Sequence, residues 1–426
     1  MNLTKILIST ILLLGIVFRV EASYPFRFED ATYKPEIQTV LLHPKDDPLG
    51  YPMIMLNDRK QLQLRFDVIG DVAYVYQYTI VHCTHDWKAS ALQPREYIEG
   101  FDDDQISSFA FSLNTLTPYV HHSLLFPGTQ LRPKISGNYI LVVFDRSMTA
   151  GNILLTRRFM VVDPRVSISA TVPQHPRNPE YGRTHQQLDV EVRSRGFFGG
   201  QPANSFFLTI VQNRRQDNLK QGLQPTHTFS DRLTYEYRNE TVFEGANQWR
   251  NFDMKSFRYQ SERLQRIITE PNHFTVKLWN DERRHRQVYK SEPDIFGQRL
   301  IHARQDQETH TEGDYAWVEF FLRYDAPVTH GDVYIIGALN DGKLDARNKM
   351  QYNFGARGYE LSLFLRQGYY NYLYVIKEIG DQAASTELTE GNHWDTLNEY
   401  LLLFYYRQPG TSHDQLIGSS LIKSHQ

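Results

Sequence analysis

Along most of the chain, apolar and polar residues alternate one by one. Leu62, Leu64, Phe66 and Val68 share one side of an extended segment, with Gln61, Gln63, Arg65 and Asp67 on the other. The same alternation sets Leu188, Val190 and Val192 against Asp189, Glu191 and Arg193, and Ala316, Val318, Phe320 and Leu322 against Trp317, Glu319, Phe321 and Arg323. Leu361, Leu363 and Leu365 likewise oppose Glu360, Ser362 and Arg366. A period of two puts successive side chains on opposite faces, as in a strand with one face in the core and the other in water. Val, Ile, Tyr and Phe fill these runs, which suits a pleated, half-buried surface. The best helical candidate, Met254 to Glu270, reads equally well as strands. Gly, Pro, Asn and Asp punctuate the runs about every ten residues, the spacing of sandwiches rather than one large barrel. The pattern predicts an all-β chain of tandem immunoglobulin-like, early-set β-sandwich domains.

With 426 residues the chain exceeds one ordinary core, and domains of about 100–200 residues make two to four the natural expectation. Leu155-Thr156-Arg157-Arg158-Phe159-Met160-Val161-Val162 reads as a closing strand before Asp163-Pro164, and the polar stretch Gln305 to Gly313 offers a second boundary. The expected division is an N-terminal sandwich over 23–163, a middle sandwich over 164–304 and an early-set-like sandwich over 305–426.

The N-terminus changes the picture of where the chain works. Lys5 precedes an apolar run from Ile6 to Phe18, interrupted only by Ser9, Thr10 and Gly15, and Val20-Glu21-Ala22 fits a small-residue cleavage pattern. That reads as a secretory signal over residues 1–22, the run being too short for a membrane span of about 20 apolar residues. Export with a single cysteine, Cys83, excludes an internal disulfide, so stability rests on packing and sheet ladders. The formal net charge of −3 argues against wholesale nucleic-acid binding, which needs a basic face.

Candidate chemistry is sparse. His82-Cys83-Thr84-His85-Asp86-Trp87 contains zinc-ligand types, but on a strand His82 and Cys83 point apart, and a buried Cys and Trp closing a strand is the simpler reading. His121-His122 chelates poorly for the same reason. The run Arg283-Arg284-His285-Arg286 reads as a solvated hairpin tip, with a docking patch as its alternative, and Asp102-Asp103-Asp104 as an exposed loop. No nucleophile elbow, H-E-x-x-H, P-loop or G-x-G-x-x-G pattern occurs. No catalytic, cofactor-binding or metal-binding residue is assigned, and binding residues are left open; the expectation is a non-enzyme without cofactor.

Two resemblances sharpen this. Val333 to Asn340, Tyr359 to Leu365 and Gly368 to Tyr372 resemble the glycogen-binding type of early-set sandwich, in which a Trp shortly after the Asn stacks on sugars; here Asp341-Gly342-Lys343 stands in that stretch. More broadly, a set of motifs runs through the chain in order: Tyr51-Pro52-Met53-Ile54-Met55-Leu56-Asn57, His82 to Trp87, Phe109 to Tyr119 and Ser136-Gly137-Asn138-Tyr139. It continues with Thr156 to Val161, Glu390-Gly391-Asn392-His393, Asn398-Glu399-Tyr400 and Tyr405 to Gly410. Together these resemble the plug protein family of the type IX secretion system of Bacteroidota. The resemblance implies a non-catalytic periplasmic plug, on the inner side of the outer membrane, that seals the periplasmic opening of the large translocon barrel. It implies that barrel as partner, with no nucleic acid, no small-molecule substrate and no transmembrane segment in the mature chain. The end of the chain, Ile417 to Ser424, lacks the folded sorting domain of a secreted cargo, which the resemblance reads as a resident component. The alternative is a periplasmic glycan-binding sandwich protein, suggested by the early-set pattern and by Trp317 and Tyr370 as exposed aromatics.

Overall fold

The computed structural model describes residues 24–304 and 306–425; the expected export signal lies outside them. The described chain is almost entirely β. In the first sandwich one sheet runs Ile37–Pro44, Leu62–Ile69, Tyr119–Phe126, Ser108–Phe111. The facing sheet runs Ala31–Thr32, Ile153–Val162, Gly137–Phe144, Tyr76–Cys83, Asp104–Ile106, with Met53–Met55 added in parallel beside Ile153–Val162. The alternating residues Leu62, Leu64, Phe66 and Val68 face Tyr139, Leu141, Val143 and Phe159 across the core, as their spacing predicts.

Strand Gly137–Phe144 is buried at every position, which its near-continuous apolar run Tyr139 to Phe144 requires. Its outer side, with Val81 and Ile153, is covered by Tyr24, Phe26 and Phe28 of the chain's first described segment. Farther along the same sheet, Met160 and Val162 pack against Val211, Leu401, Leu403, Tyr405 and Leu416 of the next sandwich. Each such side chain taken wholly from water contributes about 1.5–3 kcal/mol, so the first two sandwiches share an apolar seam rather than touching at a linker.

The second sandwich departs from the expected division. One sheet runs Ser167–Thr171, Asp189–Arg193, Arg232–Tyr235, His227–Thr228, but the other pairs Phe206–Gln212 with Glu399–Tyr406, followed by Gln415–Lys423. Phe206, Leu208 and Ile210 therefore share a core with Tyr400, Leu402 and Phe404. The third sandwich is inserted between these strands. Its sheets are Leu264–Thr269, Phe274–Leu278, Tyr315–Arg323, Gly358–Arg366, Gln351–Asn353, and Arg250–Asp253, Gly368–Glu378, Arg299–Ile301, with Gly331–Ile336 along Gly368–Glu378. A boundary after residue 304 would cut this sandwich, because Phe274–Leu278 pairs directly with Tyr315–Arg323. The insertion enters and leaves at one place, where His393 donates its N–H to Ala246 O (3.0 Å). Gly245 sits there because a Cβ would run into the His393 carbonyl. Of the ambiguous stretch from Met254, the part Leu264–Thr269 is a strand.

Without the C-terminal strands Phe206–Gln212 keeps only Lys220–Leu223 beside it and loses Glu399–Tyr406 with the core residues Tyr400, Leu402 and Phe404, so a fragment of residues 164–304 is expected to show no cooperative thermal transition. A sharp, reversible melt of that fragment, followed by circular dichroism, would contradict the interlocked pairing.

Candidate functional site

Burial gathers the polar groups of the chain at the contacts between sandwiches. Asp67, on the polar side of Leu62–Ile69, does not face water: the third sandwich covers it. Its carboxylate accepts from Arg366 Nη1 (2.6 Å), from Tyr315 Oη (2.6 Å), and pairs with His121 Nδ1 (2.6 Å). Arg366 and Asp67 are both fully buried; Arg366 also bonds Tyr119 Oη (2.5 Å) and Thr309 O (2.7 Å). Around them Tyr119 donates to Gly313 O (2.8 Å), Leu116 N and Thr117 N donate to the Asp314 carboxylate, and His121 stacks on His310. Burial raises the Asp67 pKa, but Arg366, followed by His121 and Tyr315, overcomes it and leaves the carboxyl below the usual range.

The first and second sandwiches meet through His85, whose N–H and ring Nδ1 both reach Asp414 Oδ2 (2.8 and 2.9 Å) while Arg407 grips the same carboxylate (2.8 Å). The His85 ring lies flat on Phe207, 4.0 Å between centroids. The second and third meet through Asp217, which holds Arg215 and the Ala384 N–H, while Arg215 donates to Ala384 O (2.6 Å). Inside the third, Arg250 bridges Glu390 (3.0 Å) and Asp281 (2.7 Å), and Tyr372 and Tyr374 donate to Asp281. Burial is the largest influence on Glu390 and raises its pKa, but Arg250 and Arg284 outweigh it and bring the group down to about 2.

Where the three sandwiches converge there is a cavity of about 200 Å³, lined among others by Tyr51, Trp87, Arg158, Arg214, Arg299 and Asp341. Its arginines serve the fold: Arg214 lies over the Tyr51 ring at 3.6 Å and Arg158 over Trp87 at 4.4 Å. Arg158 donates to Phe28 O (2.7 Å), Arg299 to Val40 O (2.8 Å), and Arg157 pairs with Asp341 (3.2 Å).

The motifs singled out from sequence fall into this framework. His82 and Cys83 are buried in the first sandwich; burial lowers His82 to about 4 and pushes the Cys83 thiol up, leaving both neutral. Among the described residues no group of three His, Cys, Asp or Glu side chains could hold a metal ion. Arg283-Arg284-His285-Arg286 is not a solvated hairpin tip: it lies in a loop where Arg284 grips Glu390 (2.7 Å) and Arg283 covers Tyr324 (4.2 Å). Asp102 and Asp103 are exposed as expected, and Asp104 begins a strand. Tyr370, expected at the surface, is buried against Phe252; Trp317 is exposed. Asp341 and Lys343, in the stretch where sugar-binding relatives of the early-set pattern place a Trp, point into the first sandwich, Lys343 pairing with Glu29 (3.1 Å). Sequence reading missed Asp67, Arg366, His85–Asp414 and Arg250–Glu390: alternation put Asp67 and Arg366 on polar faces, and nothing local marked the distant partners.

The fold is a set of interlocked β-sandwiches whose buried polar groups are largely engaged at the joints between them. Residues 37–163 match the family described as type 9 secretion system plug protein 1st domain. The crystal structure of a hypothetical protein from Parabacteroides merdae ATCC 43184 is 32% identical, covers 93% of this chain and 100% of that chain, and superposes with a TM-score of 0.89. The C-terminal domain of the AgI/II polypeptide BspA from Streptococcus agalactiae, at 8% identity over 90% of this chain and 99% of that one, has a TM-score of only 0.16. No curated protein matches the chain. The chain belongs to the type 9 secretion system plug protein family. That is a secretion-system family rather than an enzyme family, and it ties the chain to the type IX machinery of the cell envelope. Among the described residues no helix is long and apolar enough to cross a membrane.

Arg366→Met leaves Asp67 buried without its main counter-charge and should cost about 3–5 kcal/mol in urea unfolding. Asp67→Leu with Arg366→Met should recover more than about half of that, because it removes the charge instead of orphaning it. A single-variant loss below about 1 kcal/mol would mean that water reaches the pair.

Acid should destabilise the protein in two stages. His82, His122 and His310 sit near 4 when folded against 6.5 for a free imidazole, mainly through burial. The unfolded chain therefore takes up protons first, and stability falls as pH drops from about 6.5 toward 4. Glu390, folded near 2 against 4.5, contributes stability above about pH 4.5 that is lost as pH falls through about 2. Melting temperatures measured from pH 8 to pH 3 should decline monotonically below neutrality; a constant value between pH 7 and 4 would contradict the burial of the histidines.

Proposed function

We propose that this chain is a non-catalytic plug that seals the periplasmic opening of the outer-membrane translocon barrel of type IX secretion, working in the periplasm at the inner side of the outer membrane. The family match over residues 37–163 carries the reading. The physics of the joints supports it. A stopper must keep its outline under diffusional and osmotic load, and a chain of sandwiches on flexible linkers would not. Here the sandwiches are fastened by hydrogen-bonded buried charges at Asp67–Arg366, His85–Asp414 and Asp217–Ala384, contacts that tolerate little displacement. The topology adds to this, since the third sandwich is held at both ends by the second.

Glycan binding finds less support. Its early-set face would need an accessible aromatic near Asp341, and that stretch is engaged with Arg157 and Glu29.

In cells lacking the chain, the outer membrane should become more permeable to large polar molecules, read as increased sensitivity to an antibiotic normally excluded by size, with restoration on re-expression. A C-terminally tagged copy, gently extracted from outer membranes, should recover the translocon barrel. Unchanged permeability together with recovery of the monomer alone, under conditions where the barrel is intact, would overturn the reading.

A further inference from the structure

The first sandwich is unfinished along one side. Its sheet ends on strand Ser108–Phe111, which pairs only with Tyr119–Phe126. Ser112 N donates to Tyr119 O (2.9 Å), which sets the alternation of the ladder: residues 110 and 112 turn their backbone groups toward Tyr119–Phe126, and Phe109 and Phe111 turn theirs outward. No described backbone group meets these outward N–H and C=O groups. Natural edges are guarded by short length, lysine, proline or a bulge; this edge is short, at four residues, but its sequence Ser-Phe-Ala-Phe contains neither Lys nor Pro, and its pairing runs in unbroken register.

The side chains have the polarity of a covered strand. Phe109 lies opposite His122 and Phe111 opposite Val120, and His122 stacks on the core residue Phe66 at 4.9 Å, so both phenylalanines are on the core side of the sheet. Yet they are 42% and 48% exposed. Beside them Tyr74 and Val75 are 55% and 49% exposed, Tyr74 packing on Tyr76 and Tyr76 on His122. Beneath this strip His122 is fully buried with neither ring nitrogen bonded. Burial and neighbouring His121 bring its pKa down to about 4, so at neutral pH it packs as an uncharged ring. The rim carries more acid than base: Glu36 and Asp71 are exposed, and Asp145, partly exposed, is paired with exposed Arg146 (3.9 Å); burial, followed by the Asp145 and Glu36 carboxylates, pushes the Tyr76 phenol up to about 12.

An open backbone edge, apolar side chains on its inner face and an acidic rim select one kind of occupant. We propose that Ser108–Phe111, with Tyr74 and Val75, accepts an extended segment of the translocon barrel as an added strand, apolar at alternate positions and flanked by Lys or Arg. Main-chain bonds would hold it and the Phe109–Phe111 strip would read its alternate side chains, the physics of strand addition at a free edge. This rests on the plug reading and says which surface seats the plug.

The full chain supplies its own probe. Cys83 is fully buried, so Phe111→Cys introduces the one accessible thiol among the described residues, and Val288→Cys, 88% exposed on the third sandwich, gives a reference site. With a thiol-anchored photo-crosslinker applied to cells, Phe111→Cys should capture the barrel and Val288→Cys should not. Phe109→Ser with Phe111→Ser should lower the barrel recovered with the tagged chain by about tenfold or more, the scale of a hot-spot loss, without shifting the melting temperature by more than a few degrees. Undiminished recovery with the double variant would overturn the proposal. So would capture by Phe111→Cys of only a second copy of this chain, or capture of the barrel by Val288→Cys alone. Should the double variant fold poorly, the Phe111→Cys cross-link decides. The plug reading fails separately: if the barrel is captured at Phe111→Cys but cells lacking the chain are no more permeable, the surface stands and the sealing role does not.

Discussion

The structure depends on a charge that water cannot reach. Asp67 lies on the polar side of strand Leu62–Ile69 and is enclosed when the third sandwich closes over the first. Removing a carboxylate and a guanidinium from water costs several kcal/mol per ion, and their attraction compensates only when geometry is good and the remaining hydrogen-bond capacity is met. The geometry is good and most of the capacity is met: Arg366, Tyr315 and His121 surround the carboxylate, Tyr119 and Thr309 take further guanidinium donors, and Arg366 Nε alone of the guanidinium nitrogens is left without a partner. Apolar contact alone is non-directional and would permit several relative orientations of two sandwiches. Hydrogen-bonded charges are directional, so the joint accepts few. The His85–Asp414–Arg407 and Arg215–Asp217–Ala384 contacts repeat the device at the other joints.

Chain topology works in the same direction. The second sandwich is assembled from two stretches far apart in sequence, with the third sandwich between them. Its two crossings run side by side at Gly245 and His393, so the third sandwich cannot swing on a single linker. Folding this sheet requires closing a long loop before Phe206–Gln212 meets Glu399–Tyr406, an entropic cost that rises slowly with length but slows assembly. The broad apolar seam between the first and second sandwiches, around Met160, Val162, Leu401 and Tyr405, offsets that cost.

The strands themselves were legible, because a period of two is a local property and Leu62 to Val68, Leu188 to Val192 and Ala316 to Leu322 display it without interruption. The polar faces were not. Alternation says which side of a strand is apolar; it is silent on what later covers the other side. Asp67 and Arg366 therefore read as water-facing, and His85 as a member of a local cluster, when its partner Asp414 is more than three hundred residues away. The boundary after residue 304 failed for the related reason that strand pairing at long separation leaves no local mark. Tyr370 failed because aromatic strands with both faces covered resemble exposed ones in sequence: Tyr370, Tyr372 and Tyr374 are all interior. What did survive was the family resemblance, since ordered motifs along a chain carry long-range information that periodicity does not.

The inward use of polar groups also bears on how such a protein can meet a partner. His85, Arg284, Arg366 and Asp414, the residues with the most suggestive chemistry, are committed to internal bonds, and the junction cavity is lined by arginines tied to backbone carbonyls and aromatic rings. The exterior offers instead local apolar features such as the Phe109–Phe111 edge. An edge of that kind is hazardous on a flexible protein, because it templates indiscriminate strand pairing. On a body whose joints fix its outline, it can be reached only by a segment that fits the neighbouring surfaces as well, so rigidity converts a sticky edge into a selective one. Selectivity at the edge and stiffness at the joints then have a common origin in the buried charges that hold the sandwiches together.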